Sequence, residues 1–265
     1  MKSSRRLDLV LVERGLAPSR EQARALVLGG RVQVAGQRVD KAGAAVDPVA
    51  AIEVEGGLPY VGRGGLKLAG ALEQFGITVQ GFVAVDVGAS TGGFTDCLLQ
   101  RGASRVYAID VGYGQLAWKL QSDPRVVRLD RVNIRTATPT LLPELCDLAV
   151  IDVSFISLRL VLSPVFSLLR EGGQVAALVK PQFEVGRGRI GKGGIVRDPD
   201  LWREVLAGLV DHVVAAGHAV IEWCESPIAG ADGNREFFLH IGKGGAGDRS
   251  ATIRSAVAAW QPAGS

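Results

Sequence analysis

From Leu66 onward, short apolar segments alternate with helical stretches, and this alternation limits the fold more than any other feature. Phe82–Val87, Arg105–Ile109, Val126–Leu129, Leu148–Ile151 and Val175–Val179 are near-continuous apolar runs. Strands of that kind are buried on both faces, so helices must cover both sides of the sheet. Leu66–Phe75, Gly92–Arg101 and Leu201–Ala216 supply predicted helices, and Ala219–Cys224 and Glu236–Ile241 a closing pair of strands. The pattern predicts an α/β fold: a doubly wound sheet, mostly parallel, with an antiparallel last strand. No internal repeat is visible. The Gly- and Ala-rich tail, 243–265, is expected to be peripheral, with a short helix at Arg249–Trp260.

The first 57 residues follow a different pattern. Leu7–Arg14 reads as a helix stopped by Gly15, and Ser19-Arg-Glu-Gln22 as the capping box of a second helix. Arg31–Val34 and Gln37–Val39 flank a tight turn at Ala35-Gly36, and Ala50–Glu55 is a further strand. A small α+β module over 1–57, a breaker-rich linker over 58–63 and a sheet domain over 64–242 follow from this reading. Residues 1–41 hold nine Lys or Arg against four acids, a net of +5, which leaves −2 for the rest of a chain whose formal charge is +3. A basic module on a near-neutral body points to a polyanion as partner.

Other classes fit poorly. Three widely spaced cysteines, Cys97, Cys146 and Cys224, make neither a disulfide framework nor a zinc site. The N-terminus has no apolar signal core, and no apolar run approaches the roughly 18–20 residues of a membrane span. Cytoplasm is the expected location.

Chemistry concentrates after the first apolar strand, in Gly88-Ala-Ser-Thr-Gly-Gly93. Glycines allow a sharp turn and a close approach to a ligand. The spacing is not the Gly-x-Gly-x-x-Gly of dinucleotide sites. Asp86 just ahead of the loop would repel a pyrophosphate, but suits a ligand carrying an ammonium and a sulfonium. Asp110 ends the second strand, where an acid takes ribose hydroxyls, and Asp130 ends the third, near the expected adenine. Three acids at three strand ends describe a nucleoside cofactor without phosphates.

Asp152 and Lys180 follow the fourth and fifth strands and so should face the same crevice. Lys67 opens the first helix of this domain, and Glu236 starts the last strand after Gly230-Ala-Asp-Gly-Asn-Arg235. A lysine at a buried strand end is costly unless paired, and can serve as a base. Methyl transfer to a hydroxyl needs a positioned oxygen, a proton acceptor and no metal. Lys180 fits the acceptor, Asp152 its support, and Lys67 with Glu236 the orientation of a ribose. Transfer to an exocyclic amine calls for Asn/Asp-Pro-Pro-aromatic, but the segment here is Asp152-Val-Ser-Phe155. Cytosine C5 chemistry needs a cysteine in the crevice, and none of the three is well placed.

These motifs carry a resemblance to known families. Arg6-Leu-Asp8, Gly15-Leu-Ala-Pro-Ser-Arg20, Ala23 and Gly30-Arg-Val-Gln-Val-Ala-Gly36 resemble the S4 RNA-binding domain. Residues 62–241 resemble the FtsJ-like ribose 2′-O-methyltransferases. The whole chain is similar to the TlyA family, which joins the two; Gly62-Arg-Gly-Gly-Leu-Lys-Leu68, Asp86–Asp96, Asp152-Val-Ser-Phe155 and Val179-Lys-Pro-Gln-Phe-Glu184 are its marks here. The resemblance implies a Rossmann-like methyltransferase sheet behind an S4 domain, and a Lys67, Asp152, Lys180, Glu236 catalytic tetrad. It implies S-adenosylmethionine held by Asp86, Gly88, Ala89, Ser90, Thr91, Gly92, Gly93, Phe94, Asp110, Val111, Asp130 and Asp152, with no metal. The implied substrate is cytidine ribose in 16S and/or 23S ribosomal RNA, in free subunits or ribosomes, with no membrane partner and an unspecified oligomeric state. The linker Leu58-Pro-Tyr-Val61 departs from the Arg-x-Trp-Val of some members.

The S4 resemblance puts Arg5, Arg6, Arg20, Arg24 and Lys41 on an RNA face, joined by Arg63 and by Arg187 and Arg189 of the basic loop 186–194. Such contacts mostly neutralise phosphates. Phe155 or Phe183 could stack on a nucleotide flipped from its helix. Two other readings remain open. Some relatives are described as haemolysins, which suggests a membrane-active protein, testable by lysis of liposomes without RNA or cofactor. An RNA-binding assembly factor would show as a catalytically dead variant that restores ribosome assembly.

Overall fold

The computed structural model describes residues 4–14, 16–17, 20–56, 59–186, 188–230 and 233–262, without the side chains of Gln22 and Lys192. Gly15, Ser19 and the Gln22 side chain of the expected capping box, Gly57 and Leu58 of the linker, Arg187, and Ala231 and Asp232 lie outside the described residues.

The N-terminal part runs β1 (Arg5–Arg6), α1 (Leu7–Glu13), α2 (Arg20–Leu28), β2 (Val32–Val34), β3 (Gln37–Arg38), β4 (Ala45–Val46) and β5 (Ile52–Val54). The apolar stripes of α1 and α2 bury Leu7, Val10, Leu11, Ala23 and Val27 against Val32, Val46 and Ile52. Antiparallel β3-β2-β5 forms a small sheet, its hairpin turned by Ala35 and Gly36, both at positive φ. A second ladder pairs β1 with β4.

The rest comprises α3 (Arg63–Gln74), β6 (Val83–Val87), α4 (Gly93–Gln100), β7 (Arg105–Asp110), α5 (Trp118–Gln121), β8 (Val126–Asp130), β9 (Cys146–Ile151), α6 (Leu162–Ser167), β10 (Leu169–Val179), α7 (Pro181–Glu184), α8 (Pro199–Ala215), β11 (Ala219–Glu225), β12 (Phe237–Gly242) and α9 (Ser250–Ala259). One seven-stranded sheet has the order β11-β12-β10-β9-β6-β7-β8. β8, β7, β6, β9 and β10 are parallel, and β12 is antiparallel to both its neighbours, as expected. Alternate residues feed two cores. Val85, Val87, Ala149 and Ile151 meet α6, α8 and α9, while Ala84, Leu148, Val150 and Ala176 meet α3 and α4.

The chain leaves β6 toward β7 on one side and returns to β9 on the other, so the carboxyl ends of β6 and β9 flank the topological switch where α/β sheets bind ligands. The tail is not peripheral. Ile253 and Val257 of α9 are buried, and Trp260 packs edge-on against Trp223 and Phe237. The expected helix is present; the tail's Gly and Ala content hid only its packing, because its apolar residues are few but face the core.

Candidate active site

The glycine loop is shaped by what lies beneath it. Gly88 has φ +88, and a Cβ there would stand 2.3 Å from the carbonyl oxygen of Asp152. Asp152 in turn donates its N–H to the carbonyl of Val87. Glycine therefore lets the ends of β6 and β9 approach, and this places Asp152 at the mouth of the crevice. The amides of Gly88 and Ala89 both donate to Ile109 O, which ties the loop to β7. A cavity of about 390 Å³ opens at this point, lined by Gly88, Ser90, Asp110, Val111, Gln115, Asn133, Asp152 and Ser154 among others. A second, of about 220 Å³, continues past Ala89, Thr91, Gly93 and Phe94 to Gly62, Arg63 and Gly64.

The three strand-end acids are not level. Asp110 pairs with Asp130 across β7 and β8, but Asp86 pairs with Ala108, two residues deeper. Asp86 is accordingly fully buried beneath the loop. Thr95 Oγ1 donates to its Oδ2 at 2.6 Å, and Oδ1 has no partner. Burial pushes this carboxyl up to about 7, reinforced by the charges of Asp152 and Asp110 against the pull of Thr95. Asp110 faces the crevice and accepts from the amides of Ser90 and Gly112, 2.8 and 2.7 Å away. Asp130 faces a narrow side space with Arg128 and Gln115, where Gly114 N–H and Arg128 hold it. Gly92, at φ +95, backs onto Leu116 and Leu120 rather than the cavities.

Four charged side chains converge opposite the loop. Lys180 Nζ lies 2.5 Å from Asp152 Oδ1, in the geometry of an ion pair rather than an aligned hydrogen bond, and donates to Ser154 Oγ at 2.9 Å. Lys67, on α3, pairs with Glu236, just ahead of β12, and both are buried. Desolvation raises the Glu236 carboxyl, while Lys67 and Lys180 draw it back down. The lysines therefore have the partners their burial demands.

The residues fit a cationic nucleoside cofactor. The crevice presents Asp110 at its opening, a glycine turn at Gly88 that brings β6 against β9, and beneath the loop a buried carboxyl with one unpartnered oxygen. Among the described residues no group of three His, Cys, Asp or Glu could hold a metal ion. All three cysteines are buried, with their thiols pushed up to about 11 for Cys97 and about 12 for Cys146 and Cys224, so none is a crevice nucleophile.

Comparison with known proteins agrees with this geometry. The FtsJ-like methyltransferase model matches residues 60–243, and the S4 domain model residues 5–50. A 16S/23S rRNA (cytidine-2′-O)-methyltransferase TlyA of Mycobacterium tuberculosis is 45% identical over 238 residues, 89% of each chain. The chain belongs to the TlyA family of FtsJ-like methyltransferases. Bacillus subtilis YqxC, named as a candidate rRNA methyltransferase, is 50% identical across 89% of this chain and 85% of its own. A structure from Streptococcus thermophilus, named as a candidate hemolysin, is 44% identical, with a TM-score of 0.81 over 97% of this chain and 96% of that one. No described helix is long and apolar enough to cross a membrane.

In this TlyA-family chain the expected RNA face is only partly free. Arg24 and Lys41 are exposed, Arg5 pairs with Glu13, and Arg6 and Arg20 both pair with Asp8. Arg63 donates to Ala229 O, and Arg189 is held by both carboxylate oxygens of Glu204. Phe155 is 91% exposed at φ +63 and packs against Phe183 with ring centroids 4.9 Å apart. Ser154, Gln115 and Asn133 line the crevice without having been singled out from sequence. Ser154 lay inside a quoted motif, but polar residues in loops carry no periodicity that would mark them.

Proposed function

We propose that the protein methylates the 2′-hydroxyl of cytidine ribose in ribosomal RNA of the small subunit, the large subunit or both, using S-adenosylmethionine. The observation that carries this reading is the pair of lysine–carboxylate contacts, Lys180 with Asp152 and Lys67 with Glu236, beside the glycine loop. The S4 domain and the name of the M. tuberculosis relative support an RNA substrate.

S-adenosylmethionine supplies a methyl group on a positively charged sulfur, open to in-line displacement by an oxygen. The chain's own residues supply position and proton handling. Gly88, Ala89, Ser90, Thr91, Gly93 and Phe94 form the cradle, and Gly92 turns the chain behind it. Asp110 receives ribose hydroxyls beside Val111, Asp130 braces the far side, and Asp86 contributes negative charge from below. Lys180, as the neutral amine, takes the proton of the attacking hydroxyl, held in place by Asp152 and Ser154. Lys67 and Glu236 orient the acceptor ribose. Holding reactants in this way lowers the entropic part of the barrier, and a positioned base contributes typically 10²–10⁴-fold.

Lys180→Ala is expected to abolish methyl transfer to purified ribosomal subunits, while calorimetry still registers S-adenosylmethionine binding. Turnover at the wild-type rate in that variant would contradict the proposed role.

A further inference from the structure

Asp8 is a fully buried carboxylate in the first turn of α1, on the N-terminal domain's basic side. It accepts two hydrogen bonds from Arg6, Nε to Oδ1 at 3.0 Å and Nη2 to Oδ2 at 2.9 Å, and a third from Arg20 Nε at 3.0 Å. Both arginine side chains remain about half exposed, 49% and 54%. A guanidinium has five N–H donors, so each keeps most of them for a ligand. The backbone N–H of Asp8 donates to Ala42 O, which fixes the loop after Lys41. The Arg6 guanidinium lies against Gly43, where a Cβ would come within 3.0 Å of it. The bonds from Arg6 hold the Asp8 carboxyl down at about 2 despite its burial.

We propose that Asp8 is a positioning residue for RNA binding: it fixes Arg6, Arg20 and the Lys41 loop in one arrangement before the RNA arrives. This rests on the reading that the N-terminal domain binds ribosomal RNA. Long side chains ordered in advance lose less freedom on binding, and a guanidinium gripped at one edge presents the other to a phosphate. A surface negative charge beside a polyanion site weakens binding. This one is buried and spent on two arginines, so its effect is the reverse.

The two accounts differ in sign. Asp8→Asn raises the formal net charge from +3 to +4, so charge alone predicts tighter binding to RNA. Positioning predicts roughly tenfold weaker binding of the full-length variant to purified ribosomal subunits. The dependence of affinity on salt should keep its wild-type slope, because the phosphate-neutralising arginines are still present. S-adenosylmethionine affinity, measured in the same samples, should not change. Gly43→Ala tests the idea without touching the buried carboxylate: it displaces the Arg6 guanidinium, a flexible group, and should weaken subunit binding in the same direction with the melting temperature preserved. It also decides the matter if Asp8→Asn fails to fold. Wild-type or tighter binding by a folded Asp8→Asn, or wild-type binding by Gly43→Ala, overturns the proposal. An Arg6→Ala, Arg20→Ala double variant separates the layers. If it binds subunits as tightly as wild type, the RNA reading itself is wrong; if it binds weakly while Asp8→Asn does not, only the role of Asp8 falls.

Discussion

Asp86 shows how one residue's depth changes its meaning. Placed by sequence beside the ligand, it lies beneath the loop, two rungs below Asp110, with one oxygen unpartnered. Its carboxyl stands at about 7 against an ordinary 3.8. Without a ligand, the folded chain keeps a proton that the unfolded chain releases near 3.8. Stability of the ligand-free protein therefore falls as pH rises from about 4 to 7, and levels off above. A cationic ligand meets a charged Asp86 only above that range. Affinity for S-adenosylmethionine should rise severalfold between about pH 6 and 8, and calorimetry at both values should find Asp86→Asn with a flatter dependence. The same rise in the variant would remove Asp86 as the cause.

At the scale of elements, the crevice depends on how closely β6 and β9 approach. An alanine at position 88 would combine a φ of +88 with contact against the Asp152 carbonyl. The backbone strain alone is worth about 1–3 kcal/mol. Gly81→Ala is a matched control, with φ +78 and nothing within 4 Å. Gly88→Ala should lower the melting temperature further than Gly81→Ala and abolish cofactor binding, which the control should retain. Equal effects of the two would mean that the Gly88–Asp152 approach does not shape the site. The strands that build this approach were legible because each is an apolar run. What escaped was structure without such a signal. β1 is Arg5-Arg6, which reads as charge, and its ladder with β4 exists only because the chain folds back. β10 begins at Leu169 rather than Val175, through Arg170-Glu-Gly-Gly173, a sequence that reads as a turn and forms an irregular stretch of ladder. Lys67 and Glu236, 169 residues apart in sequence, were grouped as orienting a ribose and by the family tetrad, but nothing in the sequence signalled their direct contact.

At the scale of the whole molecule, a basic S4 domain precedes a sheet whose crevice holds two lysine–carboxylate pairs. The motifs made the class of reaction legible. The nucleotide was not legible, because base identity is read by contacts that form only in the complex. The partly committed arginines matter here as well: Arg189 is tied to Glu204, and Arg6 and Arg20 to Asp8. On the proposed reading, RNA recognition draws on arginines already arranged by internal partners as well as on the exposed Arg24 and Lys41. The most direct test maps 2′-O-methylation across total ribosomal RNA from cells with and without this gene, and from cells carrying Lys180→Ala. Loss of a ribose methyl group from at least one cytidine, in both the deletion and the variant, is the predicted result. An unchanged methylation map in the deletion strain would contradict it.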